Sequence, residues 1–133
     1  IQNLDYVPPA VGPMDIQEAS IREWTELLKQ IVQNSTYETV ILDLGDGVCD
    51  LFKILDICTQ IYVPVRNDAF STAKIHQFEN LLRIWDYTGV LEKIKKVKLP
   101  FHSASRTGAG YFEDLVWTEL GDTVRQLLRK EPA

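Results

Sequence analysis

Short β-branched runs alternate along this chain with longer stretches at helical spacing, and that alternation limits the folds open to it. The strand-like segments are Leu4-Asp5-Tyr6-Val7, Thr39-Val40-Ile41-Leu42, Ile61-Tyr62-Val63-Pro64-Val65 and residues 95–99. Helical patterns fill 21–33, 48–59 and a stretch from about 71 to 87, with a last helical region beyond Gly110. Strands separated by helices predict parallel pairing through right-handed crossovers. The expected fold is α/β, a three-layer αβα sandwich on a mostly parallel, Rossmann-like sheet. With 133 residues, one domain over 1–133 is expected, burying about two-thirds of its unfolded surface.

Local signals sharpen the elements. Ser20 and Glu23 have capping-box spacing before a face of Trp24, Leu27, Leu28, Ile31 and Val32. Val48, Leu51, Phe52, Leu55 and Cys58 line the second helix, and Ile75, Phe78, Leu81, Leu82 and Trp85 the third. Asn67, Asp68 and Ser71 offer caps for that third helix, and Gly89 is expected to end or bend it. Phe112, Leu115, Leu120, Val124, Leu127 and Leu128 are the expected packing residues of the last region. Thr39-Val40-Ile41-Leu42 shows no alternation, which predicts a strand buried on both faces.

Composition excludes several classes. No apolar run approaches the roughly 20 residues that span a bilayer, so a cytoplasmic setting is expected. A net charge of −5 gives nucleic-acid backbone no global attraction. Lys93, Lys95, Lys96 and Lys98 are the local exception, read as a solvated helix end and strand flank or as a contact for an acidic partner. Cys49 and Cys58 would lie two to three turns apart on one helix, too far for a disulfide, and read as buried reduced thiols. His76, His102, Ser103 and Ser105 have no catalytic partner at a useful spacing. The chain begins at Ile1, as a fragment or processed product would.

Ligands of open parallel sheets bind at the carboxyl ends of strands. Asp43 with Gly45, Asp46 and Gly47 falls there, as do Arg66 with Asn67 and Asp68, and the loop from Pro100 to Gly110. Tyr37-Glu38-Thr39-Val40-Ile41-Leu42-Asp43 has the form of a Walker B strand, whose terminal carboxylate orients water on nucleotide-bound Mg²⁺.

In order and spacing, the stretch from Tyr6 to about Ile75 resembles the second half of the MinD/ParA ATPases, including the CpaE-like pilus-assembly ATPases. The resemblance is carried by Tyr6-Val7-Pro8-Pro9, by the strand ending at Asp43, by Cys58-Thr59-Gln60-Ile61-Tyr62-Val63-Pro64-Val65 and by Asn67-Asp68-Ala69-Phe70-Ser71. It implies that Asp43 is the Walker B acid and metal-side residue. It also implies that Gly45 and Asp46 lie where the γ-phosphate is sensed, and that Pro100 and Phe101 begin the loop over the base. In the family, ATP binding promotes dimerisation, and the dimer positions pili, division machinery or DNA.

The departure is decisive for chemistry. No Walker A sequence occurs, and Gly108-Ala109-Gly110 lacks the Lys and Ser/Thr that would follow. Without that cradle a triphosphate is not held. Mg-ATP is therefore expected only in an intact parent with a P-loop, and this chain alone is expected neither to bind a cofactor nor to hydrolyse ATP. A protein partner or a second copy is the expected associate, because loss of the P-loop strand leaves edges near residues 39–43 exposed.

Two other functions fit some residues. A response-regulator receiver would use Asp43 as phosphoacceptor, with Lys98-Leu99-Pro100 as its Lys-Pro. It lacks the acid pair at the end of the first strand, and its strand ending at Val65 has no Ser or Thr there. A non-catalytic interaction module would use Trp24, Trp85 and Trp117 with Tyr62, Tyr87 and Tyr111, provided they are exposed.

Overall fold

The computed structural model describes residues 4–101 and 110–129. These are mixed α/β, with seven helices and one small parallel sheet of two strands. The chain divides into two compact units, one of Ile1–Ile61 with Glu79–Lys93 and one of Tyr62–Phe78 with Ile94–Ala133.

In the first unit a short helix α1 (Pro13–Glu18) precedes α2 (Ile21–Asn34). Capping starts α2 as its sequence predicts. The Ser20 N–H donates to Glu23 Oε2 at 2.8 Å, and the Glu23 N–H donates to Ser20 Oγ at 3.4 Å. Ile21, Trp24, Leu28 and Ile31 form a half-buried stripe, whereas Leu27 and Val32 are exposed. This helix packs on α3 (Leu51–Ile57), which in turn packs on α5 (Thr88–Lys93). Ile54, Leu55, Ile61, Leu82 and Val90 are the buried apolar residues of this unit among those described. Each contributes roughly 1.5–3 kcal/mol relative to its exposed state. Phe52 meets Trp85 and Tyr87 edge-on, with ring centroids 5.9 and 5.7 Å away.

The long helix α4 (Ala69–Ile84) is capped by Asp68, whose Oδ1 accepts from the Ser71 N–H at 2.8 Å. Its end is set by Asp86, not by Gly89. Asp86 adopts φ 62°, its N–H donates to Arg83 O at 3.2 Å, and the Tyr87 N–H reaches back to Leu82 O at 2.7 Å. Those two bonds close a Schellman motif with aspartate in the left-handed position usually held by glycine. Gly89 lies inside α5.

In the second unit, β1 (Ile61–Pro64) and β2 (Ile94–Val97) form the sheet, and the Val65 N–H donates to Val97 O at 2.9 Å. Val97 is buried. Helices α6 (Tyr111–Leu115) and α7 (Glu119–Leu128) follow. Gly110 enters α6 at φ 98°, a conformation glycine adopts without a Cβ clash. At Gly121 a Cβ would strike the Leu115 and Val116 carbonyl oxygens, so only glycine permits this close approach. Tyr62 Oη ties β1 to α7 by donating to Leu127 O at 3.0 Å. Leu115, Leu120 and Leu127 are half-buried, whereas Val124 and Leu128 are exposed.

Two expected strands are corrected. Residues 4–7 and 39–43 lie outside the sheet, and both are irregular. The doubly buried strand expected at 39–42 is instead accessible, with Ile41 73% exposed. A strand's N–H and C=O groups must be paired by a neighbour, whereas a helix pairs its own. Among the described residues no neighbouring strand meets this segment. The thiol expectation also changes, because Cys49 is exposed and Cys58 only half-buried, though both are free. Burial pushes the Cys58 thiol upward in pKa, and nearby Lys93 works against that shift.

Candidate functional site

The predicted site residues divide between the units. Asp43, Gly45 and Asp46 belong to the first, Pro100 and Phe101 to the second. Asp43 is exposed at the end of the irregular segment, and Asp46 is exposed in the turn that follows Gly45. Phe101 is almost fully exposed, and Pro100 is half-buried. Gly110 is the only residue of the expected Gly108-Ala109-Gly110 turn among those described, and the rest of the loop from His102 lies outside them.

The better-organised electrostatics lie one turn further on, at a residue not singled out from sequence. Asp50 caps α3 from φ 54° and holds Lys53 Nζ at 2.8 Å. The hydrogen bond from Lys53 holds the Asp50 carboxyl below its ordinary pKa, with help from the charge of Lys53 and the Ile21 amide. The same bond raises Lys53. An Asp three residues before a Lys at a helix start is the signal that identifies this pair.

Asp68 is the polar end of the second unit's strand-to-helix turn. Its carboxyl is held below the ordinary range chiefly by the Ser71 amide and hydroxyl, and more weakly by Arg66. That arrangement caps α4.

Among the described residues no three His, Cys, Asp or Glu side chains converge as metal ligands. The Lys cluster is likewise partly engaged, since Lys93 Nζ donates to the Asp56 carbonyl at 2.6 Å and lies 3.5 Å from Asp56 Oδ1. His76 is exposed on α4. Among the described residues, no helix is long and apolar enough to cross a membrane.

Comparison with family models, curated proteins and solved structures gives no match.

Proposed function

We propose that this chain is the distal, non-catalytic part of a MinD/ParA-like ATPase fold, of the kind that positions cellular machinery or assembles pili. Joined to a P-loop half, it completes a three-layer αβα sandwich with a mostly parallel sheet. In that setting Asp43 faces the metal side of bound Mg-ATP, with Gly45 and Asp46 beside the γ-phosphate and Pro100 and Phe101 over the base. Alone, the chain holds no nucleotide.

The observation that supports this reading is the state of residues 39–42. They have the composition of a central strand, yet Ile41 is 73% exposed and the segment lies outside the sheet. That is the condition of a strand whose neighbour is supplied from elsewhere. The parallel pairing of β1 with β2 across α4 and α5 adds weight, because it is a crossover unit of the expected type.

Calorimetric titration provides the test. Mg-ATP added to this chain is expected to give no binding heat, and micromolar affinity would overturn the missing-cradle reading. Fused behind a Walker A-bearing half, the chain is expected to support Mg-dependent ATP binding that Asp43→Asn weakens. No effect of that substitution would remove Asp43 from its proposed role.

A second reading has its own observation. Trp117 is 84% exposed and Trp85 65% exposed, and large exposed aromatics favour a protein-interaction module. Unchanged partner capture by Trp117→Ala would count against it.

A further inference from the structure

Asp46-Gly47 is the one place in the chain where an Asp or Asn is followed directly by glycine. Both residues are exposed, and they form a turn between the irregular segment and α3. Among the described residues no hydrogen bond occupies the Asp46 carboxylate or the Gly47 N–H. A Cβ added at Gly47 would meet nothing within 4 Å, so the space around this peptide is open. We propose that Asp46 is a covalent modification site, at which the chain isomerises without an enzyme to an isoaspartyl linkage.

The reaction needs only water and the chain's own atoms. With the Asp46 carboxyl in its acid form, the Gly47 amide nitrogen attacks Cγ. The new N–Cγ bond closes a cyclic imide, and the amide proton leaves with the carboxyl hydroxyl as water. Water then adds back at one of the two imide carbonyls. Breaking the bond from nitrogen to Cγ restores aspartate. Breaking the bond from nitrogen to the original main-chain carbonyl carbon leaves the peptide running through Cγ, with a free α-carboxylate. No electrons are exchanged with any other molecule. Glycine is the residue that best permits the attack, because without a Cβ its amide can swing onto Cγ.

Elsewhere the fold restrains the same chemistry. Asp86 precedes Tyr87, whose N–H is committed to Leu82 O at 2.7 Å. The carboxylates of Asp50, Asp68 and Asp122 are engaged by Lys53, Ser71 and Arg125. Asn34 ends α2 and donates its side-chain amide to Gln30 Oε1 at 2.6 Å. Asp43 is as exposed as Asp46, but it precedes Leu44, whose Cβ narrows the backbone angles open to the attacking nitrogen. The product at position 46 lengthens the main chain by one methylene just ahead of α3, and it turns the side-chain acid into a stub on the backbone. This modification depends on local chemistry alone and is independent of the nucleotide reading.

Incubation of the full chain in warm neutral buffer, followed by peptide mapping with electron-transfer fragmentation, tests the proposal. Isoaspartate is expected at position 46 before any other Asp or Asn, with the imide visible as a form lighter by one water. Methyl transfer from S-adenosylmethionine by an isoaspartyl methyltransferase counts the product independently. Gly47→Ala is expected to slow its appearance about tenfold, and the open space at that Cβ leaves the fold intact. Asp46→Glu must close a larger ring and is expected to abolish it. Circular dichroism checks that both variants keep their helices. The folded chain is expected to react within about threefold of its rate in urea, because neither reacting group is bonded. A folded chain unmodified at position 46 under conditions where the urea-unfolded chain reacts would overturn the proposal. Isomerisation unaffected by Gly47→Ala, or appearing first at Asp43 or Asn34, would also refute it.

Discussion

Two apolar stretches of the first unit meet opposite fates. On α3, the end of α4 and α5, the side chains of Ile54, Leu82 and Val90 are withdrawn completely from water. At 39–42, with comparable hydrophobicity, Val40 and Ile41 stay exposed. Backbone chemistry separates them. The helices α3, α4 and α5 satisfy their own amides and can pack as soon as one face is covered. An extended segment carries unpaired amides into any interior it enters, so it must find a strand first. Hydrophobicity alone does not decide burial, because the backbone groups must be paired as well.

The contrast can be broken most directly in the packed region. Leu82→Ala is expected to cost about 2–5 kcal/mol of unfolding free energy in a urea melt. Ile41→Ala is expected to change it by no more than about 0.5 kcal/mol, as exposed substitutions do. Equal losses at the two sites would mean that 39–42 is buried in solution. A smaller effect tests how the packed side is closed. Asp86→Gly relieves a left-handed backbone at the end of α4 and is expected to stabilise by about 1 kcal/mol. A loss of stability there would show that the aspartate side chain does more than occupy a turn.

The smallest effect concerns acid. Hydrogen bonds from Ser20, Lys53 and Ser71 hold Glu23, Asp50 and Asp68 below their ordinary pKa values. Folded values below unfolded ones mean that the carboxylates add stability above the usual carboxylate range, about pH 4. That contribution fades as pH falls through the lowered folded values. Asp68→Asn is expected to flatten the acid limb of a stability–pH curve.

The parts of the fold legible in sequence were those that local chemistry decides. Ser20 and Glu23 lie three residues apart and form their box without help from distant residues. Asp68 likewise caps α4 through Ser71. β1 was visible as an apolar, β-branched run and β2 as Val97 and Leu99 alternating with lysines, each within a residue or two of its observed bounds. What was not legible depended on distant partners or on an unusual backbone. The run at 39–42 reads as a buried strand in any window, and only pairing from elsewhere determines whether it becomes one. Gly89 looked like a helix stop because glycine usually takes the left-handed position that Asp86 holds here. The short helix α1 announced itself only by Pro13 at its start and Asp15 in its first turn. Of the candidate site, the acid-bearing turn near Asp43 was legible as chemistry, while the Asp50–Lys53 pair beyond it was overlooked.

The pairing of β1 with β2 has a bearing on the order in which the chain gains its structure. Val65 and Val97 are joined by a hydrogen bond, yet the chain between them must close a long loop before that bond can form. Helices assemble in about a microsecond, and parallel strands wait for the intervening segment to condense. α4 and α5 shorten the loop first, so the sheet is a late arrival during folding.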